Sequence, residues 1–284
     1  MKLIHTNKEL NQEIALARSQ GKRIGFVPTM GALHKGHLSL VSIAKAHADF
    51  VVVSVFVNPL QFNEGEDFDK YPRSIGQDAR LLTDNQVDVL YAPSAQEIYP
   101  KDFEIPRLMA GPLGERYEGA ARPGHFDGML TVVSRLFDLV KPDVAVFGEK
   151  DAQQVALVSQ LLNSQIRSGR RSPMSLKIGP TVREESGLAL SSRNVRLSDS
   201  EKKVAESLSK ALFGGAKAGS DSETIKNTAL GLLDPEAKLE YLELVDALSF
   251  EPISSIGPNP ARLIIAAQVG KVRLIDNVLI DGKK

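Results

Sequence analysis

The sequence predicts an α/β protein whose N-terminal part is a doubly wound parallel sheet and whose C-terminal part is a smaller α+β domain. Three observations carry this reading. Short β-branched or apolar runs alternate with segments whose apolar residues recur at helical spacing, the signature of βαβ units. The strongest run, Phe50 to Val57, is almost continuously apolar, as a parallel strand buried on both faces requires. After about Pro180 the texture changes, and helical segments are followed by near-sequential strands.

In chain order, Arg23 to Val27 reads as a short buried strand ended by Pro28, since proline has no N–H for a ladder. Leu38, Val41 and Ala44/Lys45 mark the helix that follows, and Phe50 to Val57 the next strand. Asp88 to Ala92 and Asp143 to Phe147 are shorter strands of the same kind. Leu130, Val133, Leu136, Phe137 and Val140 form one helical stripe, and Ala152 to Leu162 forms another. Beyond Pro180, Ser198 to Glu201 offers N-caps for a helix through Val204, Leu208 and Leu212, expected to close at Gly214-Gly215. Thr224 to Leu233 reads as a second helix. Leu239 to Val245, Arg262 to Val269 and Val272 to Leu274 read as strands, the last two joined by a tight turn at Gly270-Lys271. The expected domains are residues 1–180 and 181–284. No internal repeat or low-complexity tract interrupts them.

Length and composition agree with two folded domains. At about 150 residues per domain, 284 residues make roughly two. Hydrophobic residues at 42% and charged residues at 25% exclude a wholly disordered chain. Lys and Arg together number 35, as do Asp and Glu. A basic excess of the kind nucleic-acid binders carry is therefore absent, and an anionic ligand must be met by locally placed cations. With no cysteine, disulfides, thiolate catalysis and cysteine-ligated zinc are excluded. Met1 to His5 lacks the apolar core of a signal peptide, and no apolar run approaches the ~20 residues of a membrane span. These features predict a soluble cytoplasmic protein with small-molecule ligands and neither nucleic-acid nor membrane partners.

Four stretches point to chemistry. Pro28-Thr-Met-Gly-Ala-Leu-His-Lys-Gly-His37 follows the first strand and opens a helix. Gly31 and Gly36 allow close backbone approach, and the helix N-terminus offers N–H groups to phosphate. His34 and His37 can contact the same group there, although histidines also cap helices and an HxxH spacing can bind metal. Val57-Asn58-Pro59-Leu60-Gln61-Phe62 follows the strongest strand, where α/β sheets bind ligands; Gln61 can hold a carboxylate or hydroxyl, or Asn58-Pro59 is only a turn. Gly148-Glu149-Lys150-Asp151 stands at another strand-to-helix junction, with Lys150 a point charge for phosphate and Asp151 an acceptor for ribose hydroxyls; an acidic helix cap is the plainer alternative. Leu190-Ser191-Ser192-Arg193-Asn194 follows Pro180-Thr181-Val182-Arg183 and offers charge-assisted donors to phosphate, or is an ordinary turn. Arg122-Pro123-Gly124-His125-Phe126 reads as a structural loop near the site or as a direct participant in the chemistry. Tyr71-Pro72-Arg73, after Glu64, Glu66, Asp67 and Asp69, reads as a mobile flap, a subunit contact or a solvated acidic loop. Neither a P-loop nor a GxGxxG fingerprint is present.

The decamer at 28–37 resembles the HxGH signature of the nucleotidyltransferase superfamily of Rossmann-like folds. Taken with VSVFVNPLQF at 53–62, RPGHFDGM at 122–129, GEKDAQQ at 148–154, PTVRE and LALSSRN at 180–194, and Val272 to Asn277, the chain resembles the pantothenate synthetase (pantoate–β-alanine ligase) family over essentially its whole length. The resemblance implies ATP-dependent condensation of pantoate with β-alanine through an enzyme-bound pantoyl adenylate, releasing AMP and pyrophosphate. It implies His34, His37 and Lys150 as catalytic groups, with His37 in an acid role. Met30, Gly31, Ala32, Leu33, Lys35, Gly36, Gly148 and Glu149 would join them around ATP. Asp151 would meet the ribose, Val182 and Leu190 the nucleotide, and Ser191, Ser192 and Arg193 the phosphates. Gln61 and Gln154 would hold pantoate. Mg²⁺ would accompany ATP, the C-terminal domain would act as a lid, and a homodimer is implied. Ala152, where the family commonly has an aromatic residue, and Ile178-Gly179, where Gly-Val is usual, depart from its pattern without replacing a proposed catalytic group.

Overall fold

The structure is a computed structural model that describes residues 1–62, 74–101 and 106–282. Tyr71-Pro72-Arg73 and the acidic residues before it lie outside the described residues. The chain divides into two compact units, one of Met1–Glu149 and Leu157–Gly179, the other of Lys150–Ala156 and Pro180–Lys284.

The first unit is built on six parallel strands: β1 (Lys2–Ile4), β2 (Ile24–Thr29), β3 (Phe50–Val55), β4 (Val89–Tyr91), β5 (Val144–Gly148) and β6 (Ser175–Gly179). Their order is β1-β4-β3-β2-β5-β6. The chain moves outward from β2 to β3 and β4, then returns to β5 on the other side of β2. The β2/β5 boundary is therefore a topological switch point, where doubly wound sheets bind ligands beyond the strand C-termini.

Pro28 does not end β2 but lies inside it, in register with Ser54 of β3. Odd-numbered residues of β2 face β3, as the Phe56 N–H to Thr29 carbonyl bond shows, and Ile24 faces the other way toward Asp143. The missing N–H of Pro28 thus falls on the β5 side. There the registered pairs are Gly25↔Val144 and Phe26↔Ala145, and none is registered at Pro28, which has no N–H to give.

Helices cover the sheet: α1 (Asn7–Ser19), α2 (Lys35–His47), α3 (Ile75–Asp84), the single-turn α4 (Ala95–Ile98) and α5 (Glu118–Ala121), α6 (His125–Val140) and α7 (Ala152–Arg167). The α2 helix packs against β2, β3, β5 and β6. A Cβ on Gly179 would overlap Leu40 Cδ2 and lie 3.0 Å from Ile43 Cδ1 of α2, so a larger residue there requires those side chains to move. Phe126, Met129, Leu130, Val133 and Phe137 bury the inner face of α6. The first turn of α7 groups with the second unit and the remainder with the first.

The second unit contains α8 (Asp199–Ala216), α9 (Ser222–Leu232) and an antiparallel sheet of β7 (Lys238–Asp246), β8 (Ala261–Val269) and β9 (Val272–Ile280). Ser198 caps α8 reciprocally with Glu201. Gly214-Gly215 does not close α8 but lies within it. A Cβ on Gly215 would come within 2.9 Å of Ala229 Cβ and the Ile225 carbonyl oxygen, so the glycines permit close approach of α9. The strand expected to end at Leu274 continues to Ile280, through the buried polar residues Asp276 and Asn277.

Candidate active site

The loop leaving β2 is held in an unusual shape by its own backbone donors. Gly31 and Ala32 both have positive φ, +88° and +52°. At Ala32 the left-handed conformation costs roughly 1–2 kcal/mol. Asp78 of α3 compensates by accepting from the N–H groups of Ala32 at 3.0 Å and Leu33 at 2.8 Å, one with each carboxylate oxygen. Asp78 is buried, and desolvation pushes its carboxyl above the ordinary range despite those two bonds. The Leu33 side chain turns into the core, so only its backbone is available to a ligand.

His34 is the N-cap of α2, and its Nδ1 accepts from the Gly36 N–H at 3.1 Å. His37 reaches back in the same way, its Nδ1 accepting from the His34 N–H at 3.3 Å. The rings lie 4.2 Å apart between centroids. Both histidines therefore cap the helix through Nδ1. An Nδ1 that accepts from the backbone carries no proton, so each neutral ring bears its N–H on Nε2. Two imidazole donors are thereby set at the positive end of a helix dipole.

Gln61 is fixed by a network from four segments. Its Oε1 accepts from Asn58 Nδ2 at 3.2 Å, and its Nε2 lies 3.0 Å from the Met30 sulfur. Asn58 Nδ2 also donates to the Gly128 carbonyl at 3.0 Å, and Asn58 Oδ1 accepts from the Tyr99 hydroxyl at 2.8 Å. Burial pushes the Tyr99 phenol up, which keeps it a neutral donor. His125 Nδ1 meets the Gln61 carbonyl at 2.8 Å, and Arg122 stands 3.1 Å from its Nε2. A carbonyl only accepts and a guanidinium only donates, so His125 is the Nδ1–H tautomer. It ties the Gln61 backbone to Arg122. A Cβ on Gly128 would overlap the Leu60 carbonyl, so this glycine lets α6 support the Pro59–Gln61 turn.

Gly148 is the last residue of β5, and Glu149–Asp151 form a 3-10 turn leading into α7. Lys150 Nζ lies 3.4 Å from the Asp151 carboxylate. Gln154 is half-buried in the first turn of α7. Farther along, Leu190 N–H donates to the Val182 carbonyl and Glu184 N–H to that of Leu188, both at 2.9 Å. These bonds make residues 182–190 a hairpin. Ser191–Arg193 follow as a turn in which the Arg193 N–H donates to Ser191 Oγ at 3.2 Å, and Asn194 Nδ2 secures the Ala189 carbonyl at 3.0 Å. Among the described residues, no three His, Asp or Glu side chains are grouped to hold a metal ion. No described helix is long and apolar enough to cross a membrane.

The family model for pantoate-beta-alanine ligase matches residues 2–279. The chain belongs to the pantoate–β-alanine ligase family. A pantothenate synthetase of Acidothermus cellulolyticus is 48% identical over 262 residues, covering 90% of this chain and 84% of its own. That of Chlorobaculum tepidum is 44% identical over 294 residues, with 99% of each chain covered. Among solved structures, the Thermus thermophilus enzyme superposes with a TM-score of 0.89 at 44% identity, covering 98% of this chain and 99% of that one. The Francisella tularensis pantoate-beta-alanine ligase, described as complexed with beta-gamma ATP and beta-alanine, gives 0.76 at 38% identity, over 98% and 97%.

Within this ligase family fold, the structure brings His34 and His37 together, and joins Met30 to Gln61. It does the same for Val182, Leu190 and Ser191–Arg193. The supporting residues Asp78 and Tyr99 carry no motif in the sequence, and Asp276 and Asn277 read only as part of the C-terminal stretch, with no role assigned. Asp78 meets its partners 45 residues back along the chain. A buried acidic position on the otherwise amphipathic segment 75–84 was the available signal.

Proposed function

We propose that this protein condenses pantoate with β-alanine at the expense of ATP in two steps. The pantoate carboxylate oxygen attacks the ATP α-phosphorus, and pyrophosphate leaves with the pair of the broken P–O bond. The β-alanine amine then attacks the acyl carbon of the adenylate, an amine proton is lost, and AMP departs carrying the carboxylate oxygen. The paired imidazoles at the start of α2 carry this reading. Their Nε2–H groups, fixed by backbone bonds at Nδ1, are preorganised donors for charge growing on phosphate, usually the largest catalytic contribution.

The other assignments follow the family. In the acid role the family gives it, His37 acts as a hydrogen-bond donor through Nε2–H toward the leaving pyrophosphate, with His34 beside it. Met30, Gly31, Ala32, Leu33, Lys35 and Gly36 line the nucleotide with Gly148 and Glu149. Lys150, Ser191, Ser192 and Arg193 bind phosphates, Asp151 the ribose, Val182 the base by its backbone, and Leu190 lines the nucleotide. Gln61 and Gln154 hold pantoate. Residues 1–180 form the nucleotide- and pantoate-binding domain, and 181–284 a lid that protects the anhydride from water. Mg²⁺ supplies charge neutralisation on the triphosphate. We assign the enzyme to the cytoplasm and to a homodimer.

The test is mass spectrometry of the products from ATP, β-alanine and pantoate labelled with ¹⁸O in its carboxylate. Pantothenate, pyrophosphate and AMP bearing one ¹⁸O are expected. ADP with inorganic phosphate, or unlabelled AMP, overturns the adenylate route.

A further inference from the structure

Adjacent residues of β9 hold the two segments of the second unit to which phosphate binding is assigned. Asp276 and Asn277 are each only 5% exposed. Asp276 takes the Arg183 guanidinium bidentately, at 2.5 and 2.8 Å. The same guanidinium donates to the carbonyls of Gly187 at 3.1 Å and Asn277 at 3.3 Å, and lies 5.0 Å from the Phe213 ring centre. Arg183 belongs to the hairpin that leads directly into Ser191–Arg193. Asn277 Nδ2 donates to the backbone carbonyl of Lys150 at 2.9 Å, while its Oδ1 accepts from Arg262. Because Arg262 only donates and that carbonyl only accepts, the amide has one satisfactory orientation.

We propose that Asp276 and Asn277 are positioning residues for phosphate handling: Asp276 sets the 182–193 hairpin through Arg183, and Asn277 sets the main chain of Lys150. The proposal rests on the functional reading above. A lysine head group on a four-carbon stem is aimed chiefly by where its main chain is held, and displacement by about 1 Å can cost a hundredfold in rate. Stability alone does not account for the arrangement. A buried ion pair replaced by apolar residues of similar volume often leaves a protein as stable or more so. What such a replacement discards is the register of the hairpin against β9.

The test uses the full chain and three measurements: thermal unfolding, calorimetric binding of Mg-ATP without pantoate, and steady-state kinetics. Asn277→Asp keeps the Arg262 contact but sets a carboxylate oxygen against the Lys150 carbonyl. It should lower the melting temperature by only a few degrees, weaken Mg-ATP binding about tenfold and leave KM for pantoate within about twofold. Arg183→Met with Asp276→Leu should fold with wild-type stability and likewise bind Mg-ATP more weakly. Stable variants that bind Mg-ATP as the wild type does overturn the proposal. So does a parallel rise in both KM values that tracks a fall in melting temperature. A wild type that binds Mg-ATP but makes no pantothenate overturns the functional reading, while the binding comparison still decides the positioning role.

Discussion

The two site histidines each do two jobs, and a substitution can separate them. His37 Nδ1 accepts from the His34 N–H, while Nε2–H is the donor assigned to phosphate. Asparagine places its Oδ1 near the position of Nδ1 but has nothing at Nε2. His37→Asn should therefore keep the cap, with a melting temperature within about 2 °C of wild type. The lost donor should lower kcat by roughly 10²–10³-fold, the usual consequence of removing one preorganised donor. Normal turnover in purified His37→Asn would remove His37 from the chemistry and leave it a helix cap. The histidines could be read from the sequence because motif and helix start coincide within ten residues. Asp78, which holds the same loop, could not, because the bond from Leu33 to Asp78 joins segments that only the folded sheet brings together.

At the scale of elements, hydrophobic periodicity identified β3, β5, α2, α6 and α7, and it failed where a polar or special residue served a neighbouring element. Pro28 reads as a strand end because its ring removes a donor, yet β2 runs on to Thr29, its pairing with β3 continuing through Pro28↔Ser54 and Thr29↔Val55. Gly214-Gly215 reads as a helix end, yet it marks the close crossing of α8 and α9. Asp276-Asn277 reads as the end of a strand, yet Arg183 and Arg262 satisfy both side chains inside it. Gly128 shows how such contacts reach the site. It sits on α6 against the Leu60 carbonyl, one residue from Gln61. Gly128→Ala forces the Pro59–Gln61 turn and α6 apart, because a methyl cannot fit beside that carbonyl. Overpacking of this kind costs about 1–3 kcal/mol. KM for pantoate should rise severalfold, while KM for ATP changes little. Equal rises in both, or none, would show that Gln61 is not held by α6 in the manner described.

For the whole molecule, balanced charge and the change of texture near Pro180 were visible in composition and pattern. The grouping of Lys150–Ala156 with the later residues was not, because a helix begins there without any break in its periodicity. The residues proposed for ATP are consequently found in both units: His34 and His37 in the first, Lys150 and Ser191–Arg193 in the second. With 35 charges of each sign, no global field draws in the triphosphate, so these local groups must supply the binding. A ligand that binds the native chain and not the unfolded one stabilises it against unfolding. At a hundred times its Kd, ATP should add about 2.7 kcal/mol. With roughly 2.1 cal/mol/K of unfolding entropy per residue, a chain of 284 residues should melt about 4–5 °C higher. Scanning calorimetry distinguishes the possibilities. A single transition moving by that amount, or two transitions that both move upward, is the expected result. If two transitions are resolved and Mg-ATP raises only one, the nucleotide is held by one unit, and the assignments in the other are wrong. Adding His37→Asn tests the same balance from the first unit, since it should reduce the shift without lowering the melting temperature of the free chain.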